Sequence, residues 1–107
     1  RNDLFRTVSS PVIETIEFSL IVNTTPSQSN YVNQSVFSKS IGTAVDIAYS
    51  AHETPFVATA KKYQWDAYDG LEMLIFQAAQ SFNLWTNKLM PIDVTRKALY
   101  SYIGRPL

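Results

Sequence analysis

The chain has no cysteine and a single histidine, His52. Without cysteine there is no disulfide framework, thiol nucleophile, zinc finger or iron–sulfur centre, and one imidazole leaves no second histidine for a metal cluster. Three glycines are too few for a Gly-rich phosphate loop or a nucleophile elbow. Charge is also scarce: 17% of residues are charged, and nine Lys plus Arg balance nine Asp plus Glu. A neutral chain is a poor neutraliser of phosphates, which argues against nucleic-acid binding as its main task. No apolar run is long enough to cross a bilayer, and Arg1 to Arg6 are not followed by the apolar core of a signal peptide. No membrane span is therefore expected, and the compartment is left open.

What remains is apolar and uncharged-polar. The 107 residues are 46% apolar and 13% aromatic, enough for one domain, 1–107, that buries about two-thirds of its unfolded surface. Eleven Ser, nine Thr and six Asn supply the polarity. Such groups cost less to desolvate than charges, so they suit a face that another protein covers.

The clearest periodicity begins at Asp69. Leu71, Leu74, Ile75, Ala78, Phe82, Trp85 and Leu89 form one helical stripe, Asp69 with Glu72 reads as a capping box, and Pro91 ends the helix near Leu89 or Met90. Met73, Phe76 and Leu84 lie off that stripe, so 10 of the 15 residues from Leu71 to Trp85 are apolar. Such a helix is either wrapped by others or meets another molecule. Thr54-Pro55 opens a preceding helix over about 55–69, with Gly70 as the joint. Phe37, Ile41, Ala44, Val45 and Ala48 predict a helix over about 31–50, and Asp93 caps a last one carrying Val94, Ala98, Leu99, Tyr102 and Ile103 up to Gly104.

Residues 12–22 fit both periods. Val12, Ile16, Phe18, Leu20 and Val22 alternate as in a strand, while Val12, Ile13, Ile16 and Leu20 make a helical face after Ser10-Pro11. Because everything downstream reads as helical, the expected fold is a mainly α, small helical bundle with one long central helix. The alternative is an α+β chain with an N-terminal strand or hairpin at 12–38, Tyr31–Ser38 being the mate of the strand.

No residue group converges on catalysis, and no cofactor or metal site is expected. His52 reads as a loop histidine. Asp66, Asp69 and Glu72 could share one helical side but are better used as caps and solvated neighbours. Asn23-Thr24-Thr25 and Asn33-Gln34-Ser35 match the glycosylation pattern at about the frequency of chance. Trp65-Asp66-Ala67-Tyr68 resembles a tetrapeptide of acyl-CoA-binding proteins, in which a short turn and a final helix come next; here an uninterrupted apolar helix follows, and the likeness ends.

The expected function is a non-enzymatic structural or assembly subunit, a coat or scaffold component, that packs against itself or another protein subunit. Its interface would comprise Met73, Phe76, Leu84, Phe18 and Ile21, with Trp65, Trp85, Tyr100 and Tyr102 as anchors. One alternative is a small helical module with an apolar ligand pocket lined by Phe56, Tyr63, Phe82 and Trp85. Another is single-stranded nucleic-acid contact through Lys61, Lys62, Arg96, Lys97 and Arg105 among aromatics.

Overall fold

The computed structural model describes residues 7, 8, 13, 15–26 and 32–107. Strands β1 (Leu20–Asn23), β2 (Thr43–Asp46) and β3 (Asp66–Tyr68) form a parallel sheet in the order β1-β2-β3. Parallel neighbours cannot be joined by a tight turn. A 3-10 helix (Gln34–Phe37) lies in the first connection, α1 (Pro55–Lys62) in the second, and α2 (Gly70–Thr86) and α3 (Ile92–Ile103) follow. Among the described residues, no helix is long and apolar enough to cross a membrane.

The fold is α/β, which overturns both the helical bundle and the 12–38 hairpin. The expected helix over 31–50 is a 3-10 turn and β2. Its helical spacing came from apolar residues that instead fall in a four-residue strand and its flanks. Within 12–22, the strand starts only at Leu20 and pairs in parallel with Thr43–Asp46, not with Tyr31–Ser38. Ser10, Pro11, Val12, Glu14 and Tyr31 lie outside the described residues. The helix expected over 55–69 stops at Lys62, because Gln64 takes a left-handed backbone (φ 67°) and Asp66–Tyr68 are extended.

The core lies on one face of the sheet. Ile21, Ala44 and Ala67 are register partners, and the absence of bulk at Ala44 admits Phe37 and the α1 residues Phe56 and Ala60. The Phe37 ring is 5.4 Å from Phe56 and 5.4 Å from Trp65, both edge-on, and stacks on Tyr63 at 6.2 Å. The Trp65 indole N–H donates to the carbonyls of Phe37 (3.1 Å) and Ser40 (2.9 Å), pinning the segment that leads into β2. Trp65 is thus a core residue rather than an exposed anchor. Thr54 caps α1 by accepting from the Val57 N–H, as Thr54-Pro55 predicts.

Among the described residues the opposite face is largely uncovered. Val22, Val45 and Tyr68 are register partners there, and Val22 and Tyr68 are exposed. Parallel sheets are ordinarily covered on both faces. The helix α2 overhangs as well: Gly70, Leu71 and Ile75 are buried, whereas Leu84 and Trp85 are 82% and 83% exposed. The radius of gyration is accordingly 16.3 Å, against about 13 Å for a compact domain of this length.

Candidate functional site

In open parallel sheets, ligands bind outside the carboxyl ends of the strands. Three exit segments meet at that rim: Asn23 to Pro26 after β1, Ile47 to Tyr49 after β2, and Asp69-Gly70 after β3. The backbone stitches them together. The Ile47 N–H donates to the Asn23 carbonyl (3.1 Å), and the Gly70 N–H to that of Ala48 (2.9 Å). This approach requires glycine, since a Cβ on residue 70 would stand 2.0 Å from the Ile47 carbonyl oxygen. Asn23 donates its amide N–H to Asp46 (3.2 Å) and accepts from the Thr25 N–H (3.2 Å) and hydroxyl (2.7 Å).

Asp69 caps α2 by accepting from the Leu71 N–H (3.0 Å), as the sequence predicts, and its other oxygen accepts from Arg105. The helix ends at Thr86, sooner than expected, because Asn87 takes a left-handed conformation (φ 57°) and closes it. Glu72 does not complete a capping box. Its carboxylate accepts from Arg96 through Nε (3.1 and 3.2 Å) and Nη2 (2.9 Å), and from the Tyr100 hydroxyl (2.7 Å). The Arg105 guanidinium lies 5.2 Å from the Tyr100 ring centroid. Asp93 makes only a 3.4 Å contact with Arg96 and no cap, since Pro91 occupies the cap position.

A groove of about 560 Å³ opens between the bare sheet face and α2, lined by Val45, Tyr68, Asp69, Glu72, Met73, Phe76 and Arg96. That volume is within the range of small-molecule sites, and an apolar wall with a few polar groups is their usual chemistry. Hydrogen bonds from Arg96 and Tyr100 hold the Glu72 carboxyl below the usual carboxylate range. Burial, and then donation to Glu72, pushes the Tyr100 hydroxyl up to about 12. At neutral pH Glu72 therefore stays ionised and Tyr100 stays protonated, and the pair fixes geometry rather than moving protons.

This cluster holds α3, which has no buried residue of its own. Glu72 has a lowered folded pKa, so its contribution is present above about 4.5 and is lost as pH falls through the folded value. Tyr100 has a raised one, so its contribution is complete below 10 and is lost as pH rises towards about 12. An ultraviolet titration should show one tyrosine ionising last, and far-UV circular dichroism should show helix loss at both extremes. Phenolate formation in a single step near 10 is the contrary result.

The residues expected to form an interface do not all share one surface. Met73, Phe76 and Leu84 share one side of α2, Trp85 and Tyr102 are exposed, Phe18 and Ile21 pack on the core, and Tyr100 binds Glu72. Phe56 and Tyr63 belong to the core, whereas Phe82 and Trp85 line a shallow groove on α2, so no common pocket forms. Lys61 pairs with exposed Glu53, while Arg96 and Arg105 are taken up by acidic partners. Asp66 is in β3, so the three carboxylates share no helical side. The sequence pattern does not mark Asn23, Thr25 and Asp46 as a ligand rim. For Asn23 and Thr25 the one signal is Asn-Thr-Thr-Pro directly after Leu-Ile-Val, a turn at a strand end, and Asp46 carries none.

Comparison with known proteins agrees with this geometry. Residues 70–100 match the shikimate 5'-dehydrogenase C-terminal domain family. Shikimate dehydrogenase (NADP(+)) of Staphylococcus aureus is 34% identical over 87 residues, which is 78% of this chain and 32% of that protein. A chorismate mutase/shikimate 5-dehydrogenase fusion protein from Clostridium acetobutylicum superposes with a TM-score of 0.72 at 27% identity, over 87% of this chain and 38% of its own. A shikimate dehydrogenase solved in complex with NADP+ gives 0.63 at 30% identity, over 79% and 32%. These relatives are enzymes, which overturns the expectation of a non-enzymatic coat, scaffold or assembly subunit and its two binding alternatives. The chain spans about a third of the length of the curated relatives it matches, and within that span it is similar to shikimate dehydrogenases in sequence and fold.

Proposed function

We propose that this chain supplies the nicotinamide-side half of the dinucleotide-binding unit of an NADP-dependent shikimate dehydrogenase. The observation that carries this reading is the sheet itself: three parallel strands in sequential order, with a rim of exit loops at their carboxyl ends. A doubly wound dinucleotide-binding unit has two such halves, and the glycine fingerprint for the pyrophosphate belongs to the first. Gly42, Gly70 and Gly104 cannot make that fingerprint, which favours the second half for this stretch of chain. The names of the relatives supply the cofactor and substrate.

The residues present fit a planar ring. Tyr68, Met73 and Phe76 offer it apolar surface, and Glu72, neutralised by Arg96, places no unpaired charge in the groove. When bound, the nicotinamide supplies the hydride acceptor or donor. This chain's residues would bind and orient the ring and exclude water around it. The bare sheet face and the overhanging Leu84, Trp85 and Leu89 would be covered by the remaining two-thirds of such an enzyme.

Titration of the ¹⁵N-labelled chain tests this. Nicotinamide mononucleotide should shift the amides of Thr25, Ala48 and Gly70 with a Kd on the order of 1 mM, an affinity of about 4 kcal/mol. Adenosine 2',5'-bisphosphate should leave them in place. Shifts with the adenosine compound, or with neither, would refute the assignment.

A further inference from the structure

Asp46 is 2% exposed at the end of β2, and no arginine, lysine or histidine pairs with it among the described residues. Burying a carboxylate without a cation is costly unless its hydrogen bonds are good. A single oxygen, Oδ1, accepts both of the bonds found, from Asn23 Nδ2 (3.2 Å) and from the Ala48 N–H (3.1 Å).

The first of these bonds decides how Asn23 is oriented. With the carboxylate as acceptor, the amide must turn its NH₂ towards Asp46 and its oxygen away. That oxygen accepts from the Thr25 N–H and hydroxyl, closing a turn at the exit of β1. The second bond fixes Ala48, whose carbonyl receives the Gly70 N–H at the start of α2. One buried oxygen therefore sits in a relay, Thr25–Asn23–Asp46–Ala48–Gly70, that crosses all three strand ends.

We propose that Asp46 is a positioning residue for the cofactor: through Asn23 and Ala48 it sets the exit loops of β1 and β2 in the arrangement that receives the nicotinamide nucleotide. The ligand part of this proposal rests on the function proposed above, whereas the relay does not. Asp46 acts through its neighbours and need not touch the ligand. Its acceptor atom matters more than its charge, so asparagine should replace it and alanine should not. Exchanging the two side chains should restore the pairing between positions 23 and 46, because a donor and an acceptor still face one another, but it turns the amide nitrogen at position 46 towards the Ala48 N–H and so leaves that bond broken. Asn23→Asp alone should fail, since it opposes two carboxylates.

The test uses the 107-residue chain as wild type, Asp46→Asn, Asp46→Ala, Asn23→Asp and the exchanged Asn23→Asp/Asp46→Asn variant. For each, the Thr25 amide shift, the melting temperature and the NADP+ affinity are measured. The Thr25 shift should move to a random-coil value in Asp46→Ala and Asn23→Asp and return in the other two. NADP+ affinity should fall about tenfold in the first pair, stay within about threefold of wild type in Asp46→Asn and recover only in part in the exchanged variant, in line with the loss of an orienting hydrogen-bond partner. Affinity that tracks the melting temperature instead of the Asn23–Asp46 pairing overturns the proposal. If wild type fails to bind NADP+, the proposed function falls. The relay is then decided by the Thr25 shift alone, and failure of the exchanged variant to restore that shift overturns it.

Discussion

Replacing Phe37 with alanine is expected to cost roughly 3–5 kcal/mol, the range for emptying a buried aromatic site. Phe37 is 1% exposed, and three other rings meet it: Phe56 from α1, Tyr63 from the end of α1, and Trp65 from the approach to β3. Its own segment is a single 3-10 turn, so little of the backbone can collapse to fill the void. A domain of this size has about 5–15 kcal/mol of stability in all. The melting temperature should therefore fall by about 15 °C, read by near-UV circular dichroism, which also reports Trp65. Phe37→Leu keeps most of the volume and should cost less than about 1.5 kcal/mol. Equal losses from both substitutions would mean that Phe37 is not the centre of this core.

Asp69→Ala should be nearly as damaging, at about 3 kcal/mol, because it breaks two things at once. The Leu71 N–H loses its acceptor at the start of α2, and Arg105 loses the carboxylate it pairs with in a largely buried setting. Arg105 still lies against Tyr100, which keeps the loss below the upper end for a buried pair. Asp69→Asn retains the cap and should recover about 1 kcal/mol of the loss. Urea unfolding of the two variants measures the difference, and indistinguishable midpoints would show that the cap contributes nothing.

The helical half of this molecule was legible from its residues. Asp69 and Thr54 cap where their spacing predicts, Gly104 ends α3 in the left-handed region, and α2 follows its apolar stripe. The sheet was not legible, for a physical reason. Its strands are three or four residues long, too short for a period of two to outweigh a chance match to 3.6, as Ile41, Ala44, Val45 and Ala48 illustrate. Parallel pairing also joins segments about 20 residues apart, such as Leu20 with Thr43 and Thr43 with Asp66, which no local pattern records. The rim was missed because its residues converge only once that pairing exists. Asn23 and Asp46 are 23 positions apart, and alone the first reads as a turn residue and the second as part of a helix. Glu72 and Arg96 read in sequence as a cap and a phosphate contact, whereas in the fold they bind one another.

The seating of Gly70 against the Ile47 carbonyl has a mechanical consequence. Only the first turns of α2 are gripped, and fifteen residues at 1.5 Å each put Trp85 about 22 Å from that fulcrum. A tilt of roughly 10° at the seat would swing the far end by about 4 Å over such a lever arm. The close carbonyl-to-backbone approach beneath the rim is therefore one of the contacts that aim the tip of a long rod.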